Sequence, residues 1–202
     1  MKTKTKDKNV DNAEVEYEPL DRLDGLTTYL VGPIDDVKDD GVGWRQEITP
    51  HLKEMGVTVF DPTDKPSDLG REVGPEKDRL MKLKEAGDWA SLREAMKPIV
   101  HIDLRMTQKS DFIVAYLPKN AKVCGTIHEI VLAVQSKIPV LILCPGGRKT
   151  VSNWLFGIVH YNYMHESMTS LIEHLNNIHS GVATVDKSHW QFFDYTLLEE
   201  AE

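Results

Sequence analysis

The sequence predicts an α/β fold: a doubly wound, flavodoxin- or Rossmann-like parallel sheet of about five strands with helices on both faces. Three observations predict it. Short apolar runs rich in β-branched or aliphatic residues occur at Leu26 to Val31 (LTTYLV), Val57 to Phe60, Asp111 to Leu117 and Ile138 to Leu143, each ending in polar or turn residues. Helical periodicity lies between them, most clearly at Thr126 to Gln135, where Ile127, Ile130, Val131 and Val134 form one stripe able to cover a sheet. The stretch His101 to Cys144 thus reads as strand, helix and strand, a length expected of a right-handed parallel crossover.

In chain order, residues 1–22 are charged and poor in apolar content, and are expected to form a flexible arm. Residues 23–180 are expected to form the domain. Its first strand ends at Gly32-Pro33, followed by a loop thick with acidic residues (IDDVKDDGVG). A helix is expected from about Trp44 to Met55, with Pro50 kinking it or delaying its regular part, and then the strand Val57 to Phe60. Thr63 to Gly87 is read as an excursion from the sheet, a lid containing a charged helix. Asp88 is a candidate N-cap for a helix with an apolar face of Trp89, Leu92 and Met96, which Pro98 is expected to end near Lys97. Ile99 to Met106 then leads to the central strand. After the crossover, CPGGRKTVSN is a loop, Trp154 to Val159 a short strand or turn, and Met164 to Ile178 a helix. Residues 181–202 form an aromatic and acidic tail.

Composition limits the function. A chain of 202 residues is long enough to bury a core. A net charge of -8 and a pI near 5.5 argue against a nucleic acid polymer as partner, because such binders carry a basic face. Cys124 and Cys144 are too few for a disulfide framework, and no apolar run is long enough for a signal peptide or membrane span. A soluble cytoplasmic protein with no membrane partner is expected. No HExxH or CxxC pattern points to a metal site, and neither GxGxxG nor GxxxxGK[ST] is present. Neither a metal nor a cofactor is therefore expected, and Cys124 is read as a bystander.

Parallel α/β sheets bind ligands just beyond the carboxyl ends of their strands. Here that rule selects Tyr29-Leu30-Val31-Gly32-Pro33, Asp103 ahead of the central strand, and Gly125-Thr126-Ile127-His128-Glu129 at the head of the crossover helix. Each has a purely structural alternative. Thr126 to Glu129 also fits a capping box. Asp103 fits a solvated residue, Tyr29 a core or edge aromatic, Asp111 a cap, Gly32 and Gly125 tight strand exits, and Trp44 a core anchor as readily as a base-stacking ring.

The order YLVGP, GWR, FDP, Asp103, SDFIVAYL, GTIHE and PVLIL resembles the nucleoside 2-deoxyribosyltransferase superfamily, which includes nucleotide N-glycoside hydrolases. The resemblance spans Leu26 to Cys144. It implies that Glu129 attacks the anomeric carbon of a nucleoside or nucleotide, that Asp103 exchanges a proton with the base, and that Tyr29 orients the nucleophile. It implies a substrate pocket that includes Gly32, Pro33, Trp44 and Gly125, and a homo-oligomer. The chain departs from the pattern six residues before the glutamate, where Val123 replaces the base-contacting aspartate or phosphate-contacting serine. With Asp35, Asp36, Asp39 and Asp40 in the first loop, a 5′-phosphate is disfavoured unless Arg45, Lys122 or another subunit supplies charge. A binding module for a nucleotide-derived ligand, or an assembly protein using the aromatic tail, are the alternative functions.

Overall fold

The computed structural model describes residues 20–35, 37–66, 73–193 and 195. The expected arm lies outside them up to residue 19. Five strands form one sheet in the order β2-β1-β3-β4-β5: β1 (Thr27–Val31), β2 (Thr58–Phe60), β3 (Phe112–Tyr116), β4 (Val140–Leu143) and β5 (Met164–His165). All four pairings are parallel, with Tyr29 beside Ile113 and Ala115 beside Ile142. From β1 the chain moves outward to β2 and later to the other side through β3. This reversal, at the carboxyl ends of β1 and β3, is where open parallel sheets of this kind place their ligand sites.

The expected doubly wound architecture follows from the period of two along each strand. Leu30, Phe112, Val114, Leu141 and Leu143 face one layer, packed with residues of α1 (Val42–Glu54) and α6 (Met168–His179) such as Ile48, Leu52, Leu171 and Leu175. Tyr29, Val31, Ile113, Ala115 and Ile142 face the other, covered by Ile130 and Ala133 of α4 (Cys124–Gln135). Asp111 ties the two central strands, its Oδ2 accepting from the Thr27 N–H at 2.7 Å.

Several local expectations change. Helix α3 (Trp89–Lys109) runs through Pro98 instead of ending near it. Pro98 lies on the exposed side, where water can take the carbonyl that its missing N–H leaves, while Ile99 and Thr107 anchor the buried side. Asp88 does cap it, accepting from the Ser91 N–H at 3.0 Å, but Trp89 is 65% exposed and does not join an apolar face. Helix α1 begins at Val42 and continues through Pro50. The segment expected as a helix from Met164 begins as the edge strand β5, and Ser167 caps α6 after it. Trp154 lies in a short helical turn, α5 (Asn153–Phe156). The excursion carries α2 (Pro75–Glu85), a helix with no buried residue. Trp190 and Phe193 near the C-terminus enter the core while Phe192 stays exposed: Trp190 packs on Phe112 at 5.7 Å between ring centroids, and Arg22 lies over the Phe193 ring at 5.3 Å. No described helix is long and apolar enough to cross a membrane.

The β5–α6 contact carries a pH dependence. His165 Nε2 and His174 Nδ1 are 3.0 Å apart, and His165 Nδ1 meets Ser170 Oγ at 3.1 Å. Burial first, then His174 and Arg148, push His165 down from 6.5 to about 4. The unfolded chain therefore takes up this proton before the folded one. The stabilisation from neutral His165 is complete above about pH 6.5 and is lost as pH falls towards 4, at most about 3 kcal/mol. The stability gap between wild type and His165→Gln, measured by denaturant unfolding, is expected to shrink across that window. A gap that stays constant from pH 7 to 4 would refute the linkage.

Candidate active site

Four elements converge at the β1 exit. Tyr29 lies on the α4 side of β1, and its hydroxyl donates to Glu129 Oε1 at 2.9 Å. Burial, then the charges of Glu129 and Asp103, push the phenol well above its usual range. Tyr29 therefore keeps its proton and serves as a donor to the carboxylate. Glu129 is 8% exposed. It sits in the second turn of α4, not the first, because the helix starts at Cys124 with Val123 as its N-cap. Thr126 is then inside the helix and cannot be the N-cap of a capping box. The line facing the sheet is Thr126, Glu129, Ile130 and Ala133, rotated from the predicted stripe, with Ile127 and Val134 beside it.

Asp103 lies on α3, with its side chain 13% exposed. Its Oδ1 accepts from Lys65 Nζ at 2.6 Å. Burial raises its carboxyl pKa, and the Lys65 hydrogen bond, the Lys65 charge and the Arg45 charge pull it back only in part. Asp103 and Glu129 both act on the Tyr29 phenol, so the three candidate catalytic groups share one electrostatic neighbourhood.

Two cations of this neighbourhood were not assigned these roles from the sequence. Lys65, which follows a 3-10 turn at Pro62–Asp64 beyond β2, reaches Asp103 across 38 residues of chain. The only signal for it was a lysine just past a strand's carboxyl end. Arg45, weighed as a phosphate ligand, is fully buried and turned to the backbone. Its Nε donates to the Leu30 carbonyl at 3.2 Å, Nη1 to Gly41 at 2.7 Å and Nη2 to Gly32 at 3.0 Å, with Asp61 Oδ1 3.6 Å from Nε. These bonds hold the turn that follows β1.

The remaining predicted residues separate. A Cβ on Gly32 would come within 3.0 Å of the Trp44 ring and 3.2 Å of Tyr116 Cβ, so close packing requires this glycine. Pro33 is buried beside it. Trp44 stacks on Tyr116 at 5.1 Å, and its buried Nε1 has no hydrogen-bond partner. It lies on the α1 side of the sheet, whereas Tyr29 faces α4. Gly125 is not a tight exit: a Cβ there would meet nothing within 4 Å. The excursion is fastened at this end of the sheet by Lys77, whose Nζ donates to the Ile34 carbonyl at 3.2 Å and pairs with Asp40. A separate crevice, lined by Pro139, Tyr163, Asp186, His189 and Trp190 among others, lies at the opposite end of the sheet and does not touch this cluster.

Among solved structures, the chain is similar to a 2-deoxyribosyltransferase from the psychrotolerant bacterium Bacillus psychrosaccharolyticus, with TM-score 0.51 and 17% identity over 85% of this chain and 95% of that one. It is also similar to a 2-deoxyribosyltransferase from Leishmania mexicana (TM-score 0.46, 17% identity, 75% of this chain and 97% of that one). A third similar structure is a CMP N-glycosidase from Clostridium botulinum (TM-score 0.43, 15% identity, 75% and 98%). No protein-family model and no curated protein matches the sequence. The protein has the fold on which 2-deoxyribosyltransferases are built, as the order of its motifs implied.

Proposed function

We propose that this protein cleaves or transfers at the N-glycosidic bond of a (deoxy)nucleoside or nucleotide, with Glu129 as nucleophile. The observation that carries the reading is the buried Tyr29–Glu129 hydrogen bond at the carboxyl end of β1, with Asp103 in the same electrostatic neighbourhood. A Glu129 oxygen attacks the anomeric carbon, the carbon–nitrogen bond breaks, and its electron pair leaves with the base. Asp103, in its protonated form, supplies the proton that makes the base a better leaving group. Water or a second base then attacks the glycosyl ester, Asp103 takes up the proton released, and Glu129 is freed as carboxylate. Tyr29 orients the carboxylate by donating a hydrogen bond to it and keeps its own proton, because its pKa is raised.

The loop after β1 favours an uncharged 5′ end. The N-terminal amides of α1 are natural anion donors. Here Asp39 occupies them, accepting from the Gly41 N–H at 3.1 Å and the Gly43 N–H at 2.8 Å, and these bonds hold its carboxyl below the usual range. Arg45, the nearest buried cation, is committed to three carbonyls. The test is base release from a panel of nucleosides and their 5′-phosphates, with and without an acceptor base. Free nucleosides are expected to be preferred by at least about tenfold in kcat/KM, because like charges brought together cost several kcal/mol. Equal or better turnover of the phosphates would refute this preference, and no release from any member would refute N-glycosidic chemistry on that panel.

A further inference from the structure

Lys65 is a lysine taken almost wholly out of water, at 4% exposure. Lysine is seldom buried unless it is paired, and among the described residues Lys65 donates to the candidate acid, Asp103, at 2.6 Å. The pair joins two segments that are otherwise distinct: the turn leading from β2 into the excursion, and the middle of α3. A buried ion pair is weak warrant for stability, since well-packed apolar side chains often serve as well or better. What it can do that apolar packing cannot is fix the direction and the charge of one carboxyl.

We propose that Lys65 is a positioning residue for the proposed reaction: it aims the Asp103 carboxyl and sets the pH at which that carboxyl trades its proton with the base. The inference rests on the reading of Asp103 as the acid. Among the described residues, the groups that act on this carboxyl include Lys65 beyond β2, Arg45 on α1 and Tyr29 on β1, with Glu129 of α4 coupled through Tyr29. Of these, Lys65 is the one that the structure hydrogen-bonds to Asp103. Burial alone favours a neutral carboxyl that can donate a proton but is slow to part with it. A facing ammonium stabilises the carboxylate left after donation, so Asp103 can give a proton as the first base departs and recover one from the incoming water or base. In these steps the proton moves between Asp103 and the base or the incoming water, while Glu129 passes from carboxylate to ester and back. The lysine also comes from the excursion's own entry, which ties the seating of that segment to the competence of the acid.

The experiment compares wild type with Lys65→Met, Lys65→Gln and Lys65→Arg in the full chain. Two quantities are read: the carbon-13 titration of the Asp103 carboxyl, assigned by its loss in Asp103→Asn, and the pH profile of kcat/KM for base release from the best substrate of the panel. In the two neutral variants the Asp103 titration and the matching limb of the profile are expected to rise together by about one pH unit or more, the size of shift that an adjacent opposite charge produces. Lys65→Arg is expected to restore both towards wild type. The glutamine variant retains a polar end at the site and keeps the test open if the methionine variant fails to fold. An Asp103 titration that does not move, or a pH profile that is only scaled down, overturns the proposal and leaves Lys65 a structural tie. A titration that moves while wild type releases no base also overturns it, and does so by removing the proposed reaction and not the ion pair.

Discussion

Glu129→Gln is expected to lower kcat for base release by at least about a thousandfold while the protein stays folded. The neutral amide retains a carbonyl that can accept from the Tyr29 hydroxyl, so the 2.9 Å contact and the local packing have a near-isosteric substitute. What it lacks is a carboxylate able to form a glycosyl ester. Loss of a covalent nucleophile removes the low-barrier two-step route altogether, which is why the expected effect is so large. If the carboxylate only held α4 against β1, the amide would do the same work and activity would survive. The decisive measurement is single-turnover base release, with thermal unfolding followed in parallel. A Glu129→Gln variant within about tenfold of wild type would end the nucleophile assignment.

The largest stability effect is expected at Arg45. Arg45→Met should cost about 3–5 kcal/mol, because it strips a buried donor from three carbonyls at once, those of Leu30, Gly32 and Gly41. It also removes the cation lying 4.7 Å from the Trp44 ring centroid and the partner of Asp61. For a chain of this size such a loss lowers the unfolding midpoint by roughly 10 °C. Arg45→Lys is expected to recover only a minor part, since one ammonium cannot reproduce a planar fork aimed at separate carbonyls. Differential scanning calorimetry of the three proteins checks this, and a lysine variant as stable as wild type would show that charge, not geometry, is what the site requires.

The α1 fork explains why a buried arginine sits beneath a site whose proposed substrate is not anionic. Arg45 acts on the protein's own turn, and its charge reaches Tyr29 and Asp103 from behind. Burial lowers its pKa while Asp61, Tyr29, Glu129 and Asp103 oppose that shift. From the sequence, Arg45 is one of the cations that would have to supply charge if a 5′-phosphate were bound. The tertiary structure redirects it, because three carbonyls near the exit have nearer claims on its donors.

How much was legible depended on the range of the interaction. Strands β1, β3 and β4 and the crossover helix were readable because apolar runs and helical spacing are local properties, recorded within a dozen residues. From them followed the parallel sheet and its carboxyl edge, and hence the stretches holding Tyr29, Gly32 and Glu129. Elements supported by remote partners were not readable in this way. The two-residue strand β5 exists through its pairing with β4, and α3 passes Pro98 because one side faces water while Ile99 and Thr107 are buried. The capping-box alternative fits residues 126–129 taken alone, but α4 begins two residues before Thr126, and Glu129 faces the sheet.

The sequence by itself determined a parallel sheet with helices on both faces and the stretches that carry the candidate residues Tyr29 and Glu129, since periodicity and turn residues act over short distances. Only the tertiary structure decided what those side chains meet: Tyr29 with Glu129 across 100 residues, Lys65 with Asp103 across 38, and Arg45 with the turn after β1. Such pairs leave no periodic trace, because burial makes a hydrogen bond or charge contact costly to leave unmade only after the fold has removed both partners from water.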